Sequence, residues 1–244
     1  MFSLFYFFPL GLVLQAAAIV HFIRRRPDGW WLLIIIFGGG LGATVYLLVE
    51  ALPDLRESGG TRFFARRSRI GELRAEIELN PSPGNYEELG DLYLQDGKYT
   101  AARECFSHSI SARTDSPDPF YRRALASLGL GDYAAALPDL ERAVAKDPGY
   151  DFHRAAGLLA HTYAQTGQPD KAESWFARAA QASTLSETEV YQAEFLASQG
   201  RAQEARACAE RLLARRRTMP AFQRRRDRPW FRRASSLLSS LPRA

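Results

Sequence analysis

Residues 117–150 read PDPFYRRALASLGLGDYAAALPDLERAVAKDPGY, and the fold can be inferred from their pattern. Its composition favours helices, and Gly131 divides it near the middle. Glycine accepts the left-handed conformation that commonly ends a helix, and Pro148 cannot continue one. The stretch therefore predicts two helices, the first ending at Gly131 and the second before Pro148.

The same arrangement recurs along the chain. Glycines that would close a first helix follow one another at spacings of 34, 36 and 33 residues, at Gly97, Gly131, Gly167 and Gly200. Alanines and aromatic residues align with this period in the first three units and more weakly in the fourth. An internal period of this length indicates a repeat architecture.

The aligned residues resemble the tetratricopeptide-repeat family. The residues that carry the resemblance include Leu89-Gly90, Tyr93, Ala102 and Phe106 in the first unit. The resemblance implies an all-α solenoid in which each unit is two antiparallel helices, with small residues at the eighth and twentieth positions where the helices cross. The alternative is a string of amphipathic helices of another type. The predicted repeats are 83–116, 117–150, 153–185 and 186–217.

Segments on both sides of the repeats are predicted to cover the ends of the array, which a solenoid requires. Residues 64–82 predict a capping helix with Ile70, Leu73 and Ile77 on one face. Residues 51–63 form a predicted linker, with Gly59-Gly60 as its hinge. The remaining residues, 218–244, form a basic C-terminal segment.

Residues 1–50 differ from the rest because they are apolar and almost uncharged. The runs 2–23 and 30–49 each approach the roughly 20 apolar residues that cross a bilayer, and a polar turn, RRRPDG, separates them. The pattern predicts a two-helix transmembrane hairpin. A cleaved signal peptide fits less well because the arginines follow the first apolar run instead of preceding it.

Small residues in the second run predict a close helix–helix contact. Gly38 and Gly42 have the GxxxG spacing that lets two backbones approach. The simplest partner is the first helix, through Gly11 and Ala16-Ala17-Ala18. The alternative is a homodimer formed through Gly38 and Gly42.

The hairpin resembles the N-terminal segment of bacterial cardiolipin synthases of the phospholipase D superfamily, in Trp31-Leu32-Leu33-Ile34-Ile35 and in Tyr46. The catalytic motif of that superfamily requires a histidine and a lysine two residues apart, twice over. No histidine of this chain has a lysine at that position. The resemblance therefore implies a shared anchor without the catalytic chemistry.

We find no catalytic constellation in the sequence. The four histidines are scattered, and no zinc-like spacing, phosphate-binding glycine loop or nucleophile elbow is present. Cys105 and Cys208 lie three repeats apart, too far for a disulfide within one chain. The sequence therefore predicts a protein that is not an enzyme and has no catalytic, cofactor-binding or metal-binding residues.

In proteins of the family, ligands usually lie against a concave wall formed by the first helices. Glu87 and Asp91 stand where the carboxylate-binding subclass has lysine and asparagine, so a basic or mixed aromatic–polar peptide fits better than an anionic tail. The alternative is an ordinary solvated surface. The candidate residues are Glu87, Asp91, Gln95, Tyr121, Leu125, His161, Tyr191 and Glu194.

The segment 211–233 contains ten arginines against one acid, Asp227. Three interpretations are open: a capping helix with its arginines in water, a helix lying on anionic lipid, and, least favoured, a nucleic-acid-binding segment. The candidate membrane-surface contacts are Arg224, Arg225, Arg226, Trp230, Phe231, Arg232 and Arg233.

Together these features predict a membrane-anchored scaffold for protein–protein interactions in a bacterial inner membrane, with the two spans of the hairpin. The alternative is an accessory subunit of an enzyme of envelope lipid or polysaccharide synthesis. Arginines flank both apolar runs, at Arg24-Arg25-Arg26 and at Arg56 to Arg67. The positive-inside rule therefore leaves the side of the repeat domain open.

Overall fold

The computed structural model describes residues 4–25, 28–51, 59–111 and 114–242. Over these ranges the chain forms fourteen α-helices and no β-strand. It divides into two compact units, residues 1–72 and residues 73–244. The start of the first predicted apolar run and most of the predicted linker lie outside the described residues.

Over its described residues, the first unit contains three helices, a π-helical turn and the N-terminal part of a fourth helix. The three helices are α1 (Leu4–Arg25), α2 (Trp30–Phe37) and α3 (Gly39–Tyr46), and the turn is Leu47–Ala51. The second predicted run, 30–49, is thus broken into pieces. The break lies at Gly38-Gly39, where Gly39 has a φ of +54°, a conformation that only glycine adopts readily.

Close packing inside the first unit accounts for its small residues. A Cβ added to Gly40 would lie 3.0 Å from Cα of Gly11, so α1 and α3 approach through these glycines. A Cβ on Gly42 would lie 2.0 Å from the carbonyl oxygen of Ile34. Gly42 is therefore covered within its own chain, and the predicted homodimer contact through Gly38 and Gly42 is not supported.

The prediction of transmembrane spans is likewise not supported. Among the described residues, we find no helix that combines the length and the apolar character needed to cross a bilayer. In the second predicted span the cause is the break at Gly38-Gly39, which leaves two helices of eight residues each.

Helix α4 (Gly59–Leu79) contains the boundary between the two units, and the predicted hinge Gly59-Gly60 forms its first residues. Within the second unit, Leu73 is fully buried and the Arg74 side chain donates a hydrogen bond to the hydroxyl of Tyr93 at 2.8 Å. The C-terminal part of α4 therefore packs on the first repeat.

Eight helices follow as four consecutive pairs. The first pair is α5 (Pro83–Gln95) and α6 (Tyr99–Ser109), and the second is α7 (Asp118–Gly129) and α8 (Tyr133–Lys146). The third is α9 (Arg154–Gln165) and α10 (Pro169–Ala182), and the fourth is α11 (Ser186–Ser198) and α12 (Ala202–Arg215). These pairs confirm the predicted solenoid of four helix–turn–helix repeats.

Each repeat turns at the glycine that the period predicts. Gly97, Gly131, Gly167 and Gly200 have φ between +70° and +75°. Where the paired helices cross, the small residues are needed: a Cβ on Gly90 would lie 2.8 Å from the Phe106 ring. The alanines at the matching crossing positions of the four repeats are fully buried: Ala102 in the first repeat, and Ala124, Ala136, Ala160, Ala172, Ala193 and Ala205 in the other three.

The C-terminal segment covers the fourth repeat. It forms α13 (Ala221–Arg226) and α14 (Arg228–Ser240). Phe231 is only 3% exposed and packs with Val190 and Leu212 of the fourth repeat. Burial of a phenyl ring is worth about 2 kcal/mol, which explains why so basic a segment holds to the end of the solenoid.

The junction between the second and third repeats is irregular. Asp151, Phe152 and His153 have φ of 51°, 54° and 66°. These are three consecutive residues other than glycine in the left-handed region, where each costs roughly 1–2 kcal/mol. The extra length of this junction is the reason that the glycine spacing here is 36 residues and not 34.

Candidate functional site

We use the term first-helix face for the surface formed by α5, α7, α9 and α11. At its beginning Arg122 joins the first two repeats. Its side chain donates to Asp118 at 2.6 Å and also to Asp91 of the preceding repeat. The Tyr150 hydroxyl donates to Asp118 from the other side. One arginine thus holds two carboxylates that would otherwise repel each other.

A second arginine does the same between the later repeats. Arg154 donates two hydrogen bonds to Glu187 of the fourth repeat, at 2.6 Å and 3.3 Å. The hydroxyl of Tyr121 donates to Asp151 at 2.5 Å. The side chain of Glu187 is 13% exposed, so this pair is largely withdrawn from water. The pair therefore sets the position of the fourth repeat against the third.

Aromatic rings continue the face toward the C-terminal helix. His161 stacks on Tyr191 with ring centroids 3.7 Å apart, and Tyr191 meets the edge of Trp230 at 5.4 Å. Arg233 pairs with Glu194, one bond measuring 2.6 Å, and lies over the Tyr191 ring. Burial, together with the nearby charge of Arg233, lowers the pKa of His161 to about 4. His161 is therefore neutral near pH 7.

The end of the face at the first repeat is acidic. Burial raises the pKa of Glu87, and the nearby Asp118 and Asp91 raise it further. For Asp91, burial raises the pKa more than contact with Arg122 lowers it. Three carboxyl groups share one arginine here, so the site would accept a further cation.

A cavity lies at the irregular junction. It has a volume of about 530 Å³ and lies beside Phe152, whose ring is 84% exposed. Charges of both signs line it, and Trp230 and Leu185 supply apolar walls. The cavity is bounded by Asp151, Phe152, Arg154, Leu185, Ser186, Glu187, Arg226, Asp227 and Trp230.

Most of the residues predicted to line the wall belong to this network. Asp91, Tyr121, His161, Tyr191 and Glu194 each make one of the contacts above. Of the remaining three, Glu87 lies among the acids, Gln95 is exposed and Leu125 packs partly buried against the core of the second and third repeats.

Sequence reasoning missed Arg122, Arg154 and Phe152. The spacing of 36 residues between Gly131 and Gly167 was the available signal for Phe152, because an insertion must be accommodated at the junction. No comparable signal marks the two arginines, since arginine is abundant throughout the repeats.

The predicted membrane-surface set is divided by the structure. Phe231 lies in the core and Trp230 packs on Tyr191, so neither ring is free to enter a lipid surface. Arg233 is paired with Glu194, and Arg226 with Asp227 at 2.8 Å. The rest of the set, Arg224, Arg225 and Arg232, is exposed.

Both cysteines are buried and free, as the distance between their repeats predicts. Burial raises the pKa of the Cys105 thiol to about 11. Within the described ranges, no group of histidine, cysteine or acidic side chains is arranged to hold a metal ion.

Comparisons with known proteins agree with the fold of four helix pairs. Three tetratricopeptide-repeat family models match residues 84–116, 127–193 and 188–211. DnaJ homolog subfamily C member 3 of Mus musculus is 32% identical over 120 residues, which cover 49% of this chain and 23% of the relative. The chain thus spans about a quarter of the length of that relative.

Solved structures show the same fold. MamA from Desulfovibrio magneticus RS-1, solved from residue 41 to its end, superposes with a TM-score of 0.59 at 19% identity, over 66% of this chain and 91% of the solved chain. YrrB, described as a TPR protein with an unusual peptide-binding site, gives 0.56 at 19% identity, over 63% of this chain and 79% of YrrB.

The resemblance of Trp31 to Tyr46 to cardiolipin synthases gains no support, since every family match lies between residues 84 and 211. The matched segments instead lie within the four helix pairs, and they leave out most of the first helix of the second pair. The chain therefore carries tetratricopeptide repeats, at residues 84–116 and 127–211.

Proposed function

We propose that the chain is a scaffold that binds an extended segment of a partner protein along the first-helix face. Tetratricopeptide repeats mediate protein–protein interactions, which supports the general class. Aromatic rings and arginines, enriched at protein interfaces, line this face, and their mutual contacts hold them in place before a partner arrives.

The main evidence for this proposal is the exposed Phe152 ring beside a cavity. Phe152 is 84% exposed, and exposure of its apolar ring to water costs free energy. The left-handed backbone of Asp151, Phe152 and His153 costs free energy as well. Strained backbone of this kind occurs at ligand-binding sites, where binding offsets its cost. The cavity of about 530 Å³ next to the ring has room for one large apolar side chain.

The side chains at the two ends of the first-helix face define which partner segment fits it. Glu87 and Asp91 at the first repeat favour a lysine or arginine, whereas Phe152 and Trp230 favour an aromatic or long aliphatic residue. The peptide-binding site named for YrrB supports this mode by analogy of fold alone. The bound segment is therefore basic toward one end and aromatic toward the other.

A display selection, in which random peptides are selected for binding to the full-length protein, tests the proposal. We expect a consensus with basic and aromatic positions, and we expect Phe152→Ala to weaken binding of the selected peptides about tenfold or more. Phe222→Ala is the matched control, because Phe222 is 67% exposed on α13 and does not line the cavity. Peptides that bind both variants equally would refute the proposed site.

The interaction partner, the role as an accessory to an envelope enzyme and the location in a bacterial inner membrane stay predictions. Co-purification of one synthase in fixed ratio with the protein would favour the accessory role. Fractionation of cells would test the location.

A further inference from the structure

A second cavity lies at the C-terminal end of the solenoid and shares no lining residue with the first. Its volume is about 620 Å³, and Arg216, Ala221, Arg224, Arg225, Arg228, Phe231, Arg232 and Ser235 line it. Five of these eight residues are arginines and none is acidic. We call it the arginine pocket.

The fold brings these arginines together from three segments. Arg216 follows α12, while Arg224 and Arg225 belong to α13. Arg228 and Arg232 are four residues apart on α14, so they project from one face of that helix. The guanidinium of Arg216 lies over the ring of Phe231, 5.6 Å from its centroid, and the buried part of that ring fixes the floor.

The charges of the pocket are uncompensated. Within the described residues, none of the five arginines forms an ion pair with an acid. The nearest acid in sequence, Asp227, accepts from Ser186 at 2.9 Å and from Arg226 at 2.8 Å, and it lines the other cavity. Like charges four residues apart on a helix repel each other, so the arginines of the pocket destabilise one another.

We propose that the arginine pocket binds a phosphate-bearing anion with at least two negative charges. Guanidinium groups match phosphate oxygens with paired hydrogen bonds, and five of them converge here. The volume is in the range of small-ligand sites, which favours a compact anion over an extended acidic peptide. The phosphate comes from a soluble compound or from a lipid head group.

Isothermal titration of the full-length protein with inorganic pyrophosphate at low salt tests the soluble source. Flotation with vesicles that contain phosphatidic acid, whose phosphomonoester head group can carry two negative charges, against vesicles of phosphatidylcholine alone, tests the lipid source. Binding in either arm that weakens as salt is added supports the site and identifies the source. Failure in both arms overturns the proposal, as does binding of an acidic peptide or an oligonucleotide without either phosphate probe.

Two double variants distinguish binding by the arginine pocket from binding by the net positive charge of the protein. Arg228→Gln/Arg232→Gln is expected to weaken binding of the phosphate probe about tenfold or more, since each pair of charged hydrogen bonds is lost. Arg178→Gln/Arg211→Gln removes the same charge from two exposed arginines outside the pocket and is expected to leave binding within about twofold.

Equal weakening by both pairs would mean that net charge and not the pocket binds the anion, which overturns the proposal. The melting temperature of each variant reports on folding. Because removal of repelling charges does not destabilise α14, we expect the pocket variant to melt no lower than the unmodified protein. If it does melt lower, Arg224→Gln/Arg225→Gln on α13 provides the second test, with the same expected loss of binding.

Discussion

The first-helix face and the arginine pocket use the same side chain in opposite ways. On the face, Arg122, Arg154 and Arg233 each contact acids of another repeat or helix. In the pocket, five arginines gather where the repeats end and no further repeat supplies an acid. Arg122 and Arg154 thus join neighbouring repeats, whereas the pocket arginines have no acidic partner among the described residues, and we propose that an external anion takes that place.

The largest effect on stability is expected from a substitution that forces apart α9 and α11, which Arg154 and Glu187 connect. A Cβ added to Gly157 of α9 would lie 2.2 Å from Oγ1 of Thr188 on α11. Gly157→Val should therefore lower the free energy of unfolding by about 3 kcal/mol, measured by urea denaturation. Gly84→Val is the control, because an added Cβ there meets no atom within 4 Å. Equal losses in both variants would contradict the packing described.

At acid pH, protonation of His161 should place an unpaired positive charge within the first-helix face. The pKa of His161 is lowered to about 4 from 6.5, so the unfolded chain binds more protons between these values. The stabilisation by neutral His161 is complete above about pH 6.5 and is lost as the pH falls toward 4, by on the order of 2–3 kcal/mol. His161→Phe should remove this part of the pH dependence. An unchanged pH profile of unfolding would exclude His161 as its source.

Removal of a paired arginine should cost more than removal of an arginine from the pocket. Arg154→Met leaves Glu187 without its partner in a largely buried position, and we expect a loss of about 2 kcal/mol. Arg228→Met should change the free energy of unfolding by less than about 0.5 kcal/mol. Chemical denaturation of the two variants measures the contrast, which fails if their losses are alike.

The smallest effect is a gain in stability. Phe152→Gly places glycine in a left-handed position, where it relieves strain, and should stabilise the protein by about 1 kcal/mol. The same change removes the exposed ring and should weaken binding of display-selected peptides. If Phe152→Gly stabilises the protein but leaves peptide binding unchanged, the strained turn is not part of the binding site. Thermal unfolding and peptide titration on one preparation give both values.

The repeats could be predicted from the sequence because their requirements are local. Glycine at Gly97, Gly131, Gly167 and Gly200 is dictated by backbone conformation, and buried alanine by the distance between two helices. Hydrophobicity alone was a poorer guide to residues 30–49. An apolar run has the composition of a spanning helix whether or not it is continuous, and the break depends on the conformation of Gly39.

The candidate site was predicted only in part, since its contacts join residues about thirty positions apart. The register of the repeats placed Tyr121, His161 and Tyr191 on one face, as the structure does. Which arginines would pair depends on the side chains that the neighbouring repeat presents. The sequence therefore could not distinguish Arg154, which pairs with Glu187, from Arg228, which faces the pocket.

Photo-crosslinking is the decisive test for binding of a partner segment to the first-helix face and the adjoining cavity at Phe152. A benzophenone amino acid replaces Phe152 in one variant and Phe222 in another, both of which are exposed in the structure. With a display-selected peptide that contains basic and aromatic residues, we expect a crosslink from position 152 and none from position 222. A crosslink from position 222 alone, or equal crosslinking from both positions, would contradict this expectation.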